Sequence, residues 1–205
     1  SNYKDIFHPS STSVAGTLSI LSVPILLIMV PTLFWYHELM YFFMKLLPED
    51  VSALESLSRM MQGGPSTLIA ICIIAPFIEE MLFRGIILRG LLQKYSPTKS
   101  ILFSAVLFSI YHLNFYQMPS AFILGCFMGW IYYLSRSLWP SIFIHIINNF
   151  LVFISVVYFG EDVKTSNTEV LISFFVSMLG IYFLARIFNI SLLGKIKNMF
   201  GRYTT

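Results

Sequence analysis

The residues of this chain that could do chemistry fall in three short stretches of otherwise apolar sequence. They are Ile78-Glu79-Glu80-Met81-Leu82-Phe83-Arg84-Gly85, Phe108-Ser109-Ile110-Tyr111-His112 and His145-Ile146-Ile147-Asn148-Asn149. On a helix Glu80 and Arg84, four apart, share a face and can pair as carboxylate and guanidinium. Glu79 sits about 100° round the axis from Glu80 and is not the natural partner of Arg84. Two readings follow: one structural ion cluster of all three, or a Glu80–Arg84 brace that leaves Glu79 free for chemistry.

His145 and Asn149 are also four apart on one helical face. A carboxylate and an imidazole can polarise one water between them. A second imidazole and an amide NH₂ can donate to a developing oxyanion. Glu79, His112, His145 and Asn149 are therefore the minimum parts for peptide hydrolysis without a covalent nucleophile. Either histidine alone would serve equally as a satisfied interhelical hydrogen bond. Zinc is the competing use of the same atoms, with Glu79, His112 and His145 as ligands and a fourth position for water. The ligands would come from separate helices, since no HExxH is present.

The elements that must position these groups follow from composition. Of 205 residues, 57% are hydrophobic and only 11% charged, and the mean hydropathy is +0.76. A soluble domain carries about 25% charge. The shortage excludes an ordinary soluble enzyme, a disordered chain and a nucleic-acid-binding module, and makes the bilayer the solvent. The formal charge of +3 is small, so the placement of charges matters more than their sum. Cys72 and Cys126 lie in apolar runs with no CxxC or Cys/His cluster, which predicts neither a disulfide framework nor a structural zinc site. There is no basic stretch followed by a small-residue cleavage site, so the first apolar run is expected to be retained.

A helix needs about 20 apolar residues to cross roughly 30 Å of hydrocarbon. Runs of that scale predict an all-α, polytopic membrane protein with about six transmembrane helices, near 13–36, 66–92, 100–116, 119–134, 138–159 and 169–188. Pro24 and Pro31 are tolerated in the first as kinks. An amphipathic stretch over 37–62 is expected as an interfacial helix between the first two. Residues 1–205 read as one membrane-embedded domain, with no internal repeat. Gly125-x-x-x-Gly129 is expected to let the fourth helix pack closely inside the domain. Trp35, Tyr36, Trp130, Tyr132, Tyr133 and Trp139 fall near helix ends, where an aromatic belt is expected.

The connecting charges partition by side. Arg89, Lys94 and Lys99, then Arg136, then Arg186, Lys195, Lys197 and Arg202 fall on one side. The 37–64 segment, with Lys45 and Arg59 against Glu38, Glu49, Asp50 and Glu55, falls on the other. So does the 160–169 loop, with Lys164 against Glu161, Asp162 and Glu169. The positive-inside rule puts both termini in the cytoplasm. The basic, apolar tail from Ile190 to Phe200 suits an anionic inner leaflet. A charge at mid-bilayer costs at least about 2.5–3.5 kcal/mol, so Glu79, Glu80 and Arg84 must face protein or a wet cavity. At ~1.5 Å per residue Glu79 and His112 lie about 20 and 18 Å along their helices from the cytoplasmic ends, but His145 only about 10 Å. Tilt, or a helix start misplaced by a turn, would bring them level.

The three stretches resemble the three motifs of the CPBP family (CAAX proteases and bacteriocin-processing enzymes, also called the Abi family). Glu-Glu-x-x-x-Arg is matched by Glu79, Glu80 and Arg84 and is followed by Gly85. Phe-x-x-x-His is matched by Phe108 and His112, and His-x-x-x-Asn by His145 and Asn149. Order and spacing fit as well, as does the Ser137-Leu138-Trp139-Pro140 approach. The resemblance covers about 65–155, the expected catalytic core. It implies an intramembrane endopeptidase in which Glu79 and His112 activate water while His145 and Asn149 stabilise the oxyanion, without a cofactor. Substrates would be membrane-associated peptides or proteins, and the site would be the plasma membrane of a bacterium.

Two other classes compete. A membrane scaffold or bacteriocin-immunity protein of the same fold would bind a cell-envelope partner. A proton-coupled transporter would use buried Glu and His as a relay, but the sequence has neither an inverted repeat nor paired broken helices.

Overall fold

The computed structural model describes residues 7–44, 63–155 and 166–188, with side chains as far as 34 in the first segment. Six long helices appear in the expected order. They are α1 (Val14–Met44), α2 (Pro65–Leu91), α3 (Pro97–Tyr111), α4 (Met118–Ser135), α5 (Leu138–Ile154) and α6 (Asn167–Ile187). No strand occurs among the described residues. In α1, α2, α4 and α6 the chain is long and apolar enough to cross a membrane. With 15 residues, α3 extends only about 22 Å, short of a full hydrocarbon span, and the described part of α5, with 17, extends about 26 Å. The protein is an integral, polytopic membrane protein.

The helix ends follow local chemistry. Gly64 starts α2 at φ +82°, a conformation that favours glycine, and Pro65, Pro97 and Pro119 stand in first turns where a missing N–H costs nothing. Ser166 caps α6 by a reciprocal pair. Its Oγ accepts the Glu169 N–H at 3.2 Å, and its own N–H donates to Glu169 Oε2 at 2.8 Å. That box starts the helix two residues before the expected 169. Residues 37–44, expected to begin the interfacial helix, instead continue α1; residues 45–62 and the 190–200 tail lie outside the described residues.

Packing is set by small residues. At Gly125 of α4 an added Cβ would stand 3.1 Å from Ala105 Cα, and at Gly129 it would stand 3.2 Å from Ile101 Cγ2. The Gly125–Gly129 pair thus seats α4 against α3 inside the domain. At Gly180 of α6 an added Cβ would stand 2.8 Å from the Pro24 carbonyl of α1. Serines tie helices through backbone carbonyls, Ser104 Oγ to Phe83 at 3.1 Å and Ser141 Oγ to Met128 at 3.1 Å, as expected where lipid offers no competing partner.

Two departures concern the α4–α5 corner. Tyr132, placed in an aromatic belt by its position near a helix end, is a core residue at 2% exposure. Trp139 packs between Phe77 of α2 and Phe7, with ring centroids 6.2 Å away in each case. Burial inside protein outweighs interfacial anchoring at Tyr132, while Trp139 stays partly exposed. The segment before α1 also covers this corner: Phe7 is buried and His8 Nδ1 lies 2.8 Å from Ser137 Oγ. Ser137 itself is fully buried, so α5 starts within the protein rather than at its surface.

Candidate active site

The centre of α2 carries the charges. The helix is regular from Ala75 to Glu80, but π-helical over Ala70–Ile74 and Met81–Leu88. Such i→i+5 turns widen a helix and recur at functional sites. Pro76 accounts for the first, because a proline ring clashes with the carbonyl four residues earlier in an ordinary helix.

Glu80 and Arg84 form the expected pair. Arg84 Nη1 donates to Glu80 Oε1 at 2.6 Å, and both side chains are fully buried. Arg84 Nη2 donates to the Gly125 carbonyl at 3.1 Å, and its guanidinium lies 4.6 Å from the centre of the Phe108 ring. The cation thus joins α2, α3 and α4. A guanidinium suits this place because its planar fork can address a carboxylate and a carbonyl at once while stacking on an aromatic face.

His145 arrives from α5. Its Nδ1 lies 3.0 Å from Glu80 Oε1, and its Nε2 lies 3.8 Å from Glu79 Oε2. These contacts bring His145 level with Glu79 and Glu80, whatever the count of residues from the start of each helix suggests. Glu79, unlike Glu80, keeps some exposure, at 16% of its side chain. Its Oε2 is buried with no hydrogen-bond partner among the described residues, as are Glu80 Oε2 and Arg84 Nε. A buried, unpartnered carboxylate oxygen is costly unless a polar guest completes it.

His112 follows the last turn of α3 and is partly buried. Its Nδ1 lies 2.8 Å from the Phe108 carbonyl. A carbonyl only accepts, so Nδ1 carries a proton and donates it there, which leaves Nε2 as the ring nitrogen not committed to Phe108. Phe108 connects both imidazoles, with ring centroids 4.8 Å from His112 and 5.5 Å from His145. The next residue, Leu113, is left-handed at φ +50°, a conformation rare for leucine.

Asn149 lies one turn beyond His145. Its Nδ2 donates to the Ile71 carbonyl at 3.0 Å, and its Oδ1 accepts from Asn148 Nδ2 at 3.2 Å. The structure therefore brings Glu79, Glu80, Arg84 and His145 into one cluster, with His112 attached through Phe108 and Asn149 through Ile71. Among the described residues no three His, Cys, Asp or Glu side chains form a group that could hold a metal ion. Sequence reasoning missed Gly125, whose contribution is a carbonyl, and Pro76 with Ile71. A proline in mid-helix was the available signal, because it always strands an acceptor.

Residues 62–151 match a family described as type II CAAX prenyl endopeptidase Rce1-like. A protein of Bacillus subtilis (strain 168) named "Putative membrane peptidase YdiL" is 28% identical over 100 residues, which is 49% of this chain and 41% of that protein. The chain thus spans less than half the length of this curated relative. No solved structure matches. The family match contains every motif residue from Glu79 to Asn149, and at family level it supports a CAAX-protease-like membrane peptidase, consistent with the CPBP family.

Proposed function

We propose that the protein is an intramembrane endopeptidase that hydrolyses peptide bonds of membrane-associated peptides or proteins with a water activated by Glu79 and His112. The observation that carries this reading is Glu79 Oε2: buried, without a hydrogen-bond partner among the described residues, and 3.8 Å from His145 Nε2. A carboxylate held in that state is an acceptor waiting for a proton.

In the proposed reaction the water oxygen bonds to the scissile carbonyl carbon as one water proton passes to Glu79. His112 Nε2 accepts the second hydrogen bond of the water and orients it. The carbonyl oxygen becomes an oxyanion facing His145 and Asn149. In that role Glu80 Oε1 holds His145 Nδ1 and so fixes the ring with Nε2 toward Glu79. Asn149 has two amide hydrogens and gives one to Ile71, leaving one to donate. Collapse breaks the C–N bond, and the proton held by Glu79 goes to the leaving amine. Glu80 and Arg84 fix the helix and the His145 ring. The mechanism needs no cofactor. The proposed location is a bacterial plasma membrane with both termini cytoplasmic.

The test compares peptide termini in membranes of cells making the wild type, Glu79→Gln or His112→Ala, at matched protein levels. Termini produced only by the wild type support the reading. Identical termini in all three overturn it and favour a scaffold. Cleavage that survives strong chelators but is lost in Glu79→Gln removes zinc from the mechanism.

A further inference from the structure

The Ile71 carbonyl has no backbone partner to expect. The Ala75 N–H, which an α-turn would give to Ile71, instead donates to Ala70 in the π-turn. The next donor in line is residue 76, and Pro76 has no N–H. Asn149 supplies the missing hydrogen at 3.0 Å across 78 residues of chain. Pro76 is fully buried and lies three residues before Glu79, so the stranded acceptor and the carboxylate belong to one short stretch of α2. On α5, His145 meets Glu79 and Glu80 while Asn149, a turn further, meets Ile71. The two helices run past each other with two polar clasps in register.

We propose that Pro76 is a positioning residue for Asn149. By withholding an N–H it leaves the Ile71 carbonyl as a fixed acceptor, and that acceptor holds the Asn149 amide against α2, one turn along α5 from His145, which meets the carboxylates. A primary amide otherwise rotates among several rotamers; one hydrogen committed to a backbone atom sets the direction of the other. Effective orientation of such a donor is worth large factors in rate. This inference rests on the proposed peptidase reading for its activity arm, and on hydrogen bonding alone for its stability arm.

The experiment is a double-mutant cycle on the full chain in detergent and in membranes. Pro76→Ala restores a backbone N–H that competes for the Ile71 carbonyl. Asn149→Ala leaves that carbonyl without a donor, and the double variant returns one. The thermal midpoint is expected to fall in Asn149→Ala and to recover in the double variant. The Glu79-dependent release of peptide termini is expected to fall roughly 10- to 100-fold in Pro76→Ala, with the fold intact. In the Asn149→Ala background Pro76→Ala should cost no further activity. A proline that only shapes the helix would cost the same in both backgrounds.

Equal thermal midpoints for Asn149→Ala and the double variant overturn the hydrogen-bond exchange, and the proposal with it. Recovery of the midpoint with full activity in Pro76→Ala also overturns it, since the bond would then be structural only. If no cleavage depends on Glu79 while the midpoint recovers, the peptidase reading fails and the Ile71 exchange stands by itself.

Discussion

Arg84 and His145 converge on one atom. Glu80 Oε1 accepts from Arg84 Nη1 at 2.6 Å and lies 3.0 Å from His145 Nδ1. A single carboxylate oxygen on α2 therefore fixes both the cation of its own helix and the imidazole of α5. Removing its charge is expected to leave the Arg84 guanidinium buried and uncompensated, a loss of about 3–5 kcal/mol. Glu80→Gln should accumulate poorly and melt early in detergent. Glu80→Gln with Arg84→Met should recover part of the loss, because an apolar replacement of a buried pair is better tolerated than half of one.

Glu79→Gln should behave in the opposite way. Its side chain is partly exposed and its Oε2 has no hydrogen-bond partner among the described residues, with His145 Nε2 no nearer than 3.8 Å, so a neutral isostere gives up little structure. The expected result is a thermal midpoint close to wild type with cleavage reduced about 10²–10⁴-fold. Comparing melting and product termini for the two glutamates in one experiment separates the brace from the chemistry.

The glycines offer a graded test of packing. Gly125→Ala must push Ala105 and Phe108 away from contacts at 3.1 and 3.3 Å, and is expected to cost about 1–3 kcal/mol. Gly180→Ala meets Ile28 Cγ1 at 2.7 Å and the Pro24 carbonyl at 2.8 Å, and should cost at least as much by separating α6 from α1. At Gly90 nothing lies within 4 Å of an added Cβ. Gly90→Ala should be neutral or slightly stabilising, by up to about 1 kcal/mol from helix propensity. Thermal unfolding in one detergent orders the three.

Orientation can be read directly. The turn between α2 and α3 carries Lys94 near Arg89 and Lys99, and the positive-inside rule puts it in the cytoplasm. A reporter inserted after Lys94 should give a cytoplasmic signal, and one inserted after Phe115, between α3 and α4, an external signal. The reverse pattern would invert the proposed topology.

Much of this architecture is legible because it depends on composition and local spacing. Long apolar runs had to become helices, since the bilayer offers backbone groups no other partner. The i,i+4 spacing of Glu80 and Arg84 was enough to pair them, and the small side of Gly125 and Gly129 was enough to mark a close contact. The Ser166–Glu169 box was equally local, yet the apolar run beginning later drew the expected start of α6 past it. Tyr132 misled because nearness to a helix end says nothing about whether the ring on that end faces the interface or the protein interior.

The sequence by itself determined a membrane-embedded helical protein with its few internal charges and imidazoles in three ordered motifs. Only the tertiary structure decided their relations. It set α5 deep enough for His145 to reach both glutamates, tied Arg84 to a carbonyl on α4, and gave Asn149 the acceptor that Pro76 strands on α2. Those choices depend on where helices begin and how far they slide past one another. That is governed by the packing of residues far apart in the chain, such as Gly125 on Ala105 and Phe7 on Trp139, and periodicity along one helix carries no record of it.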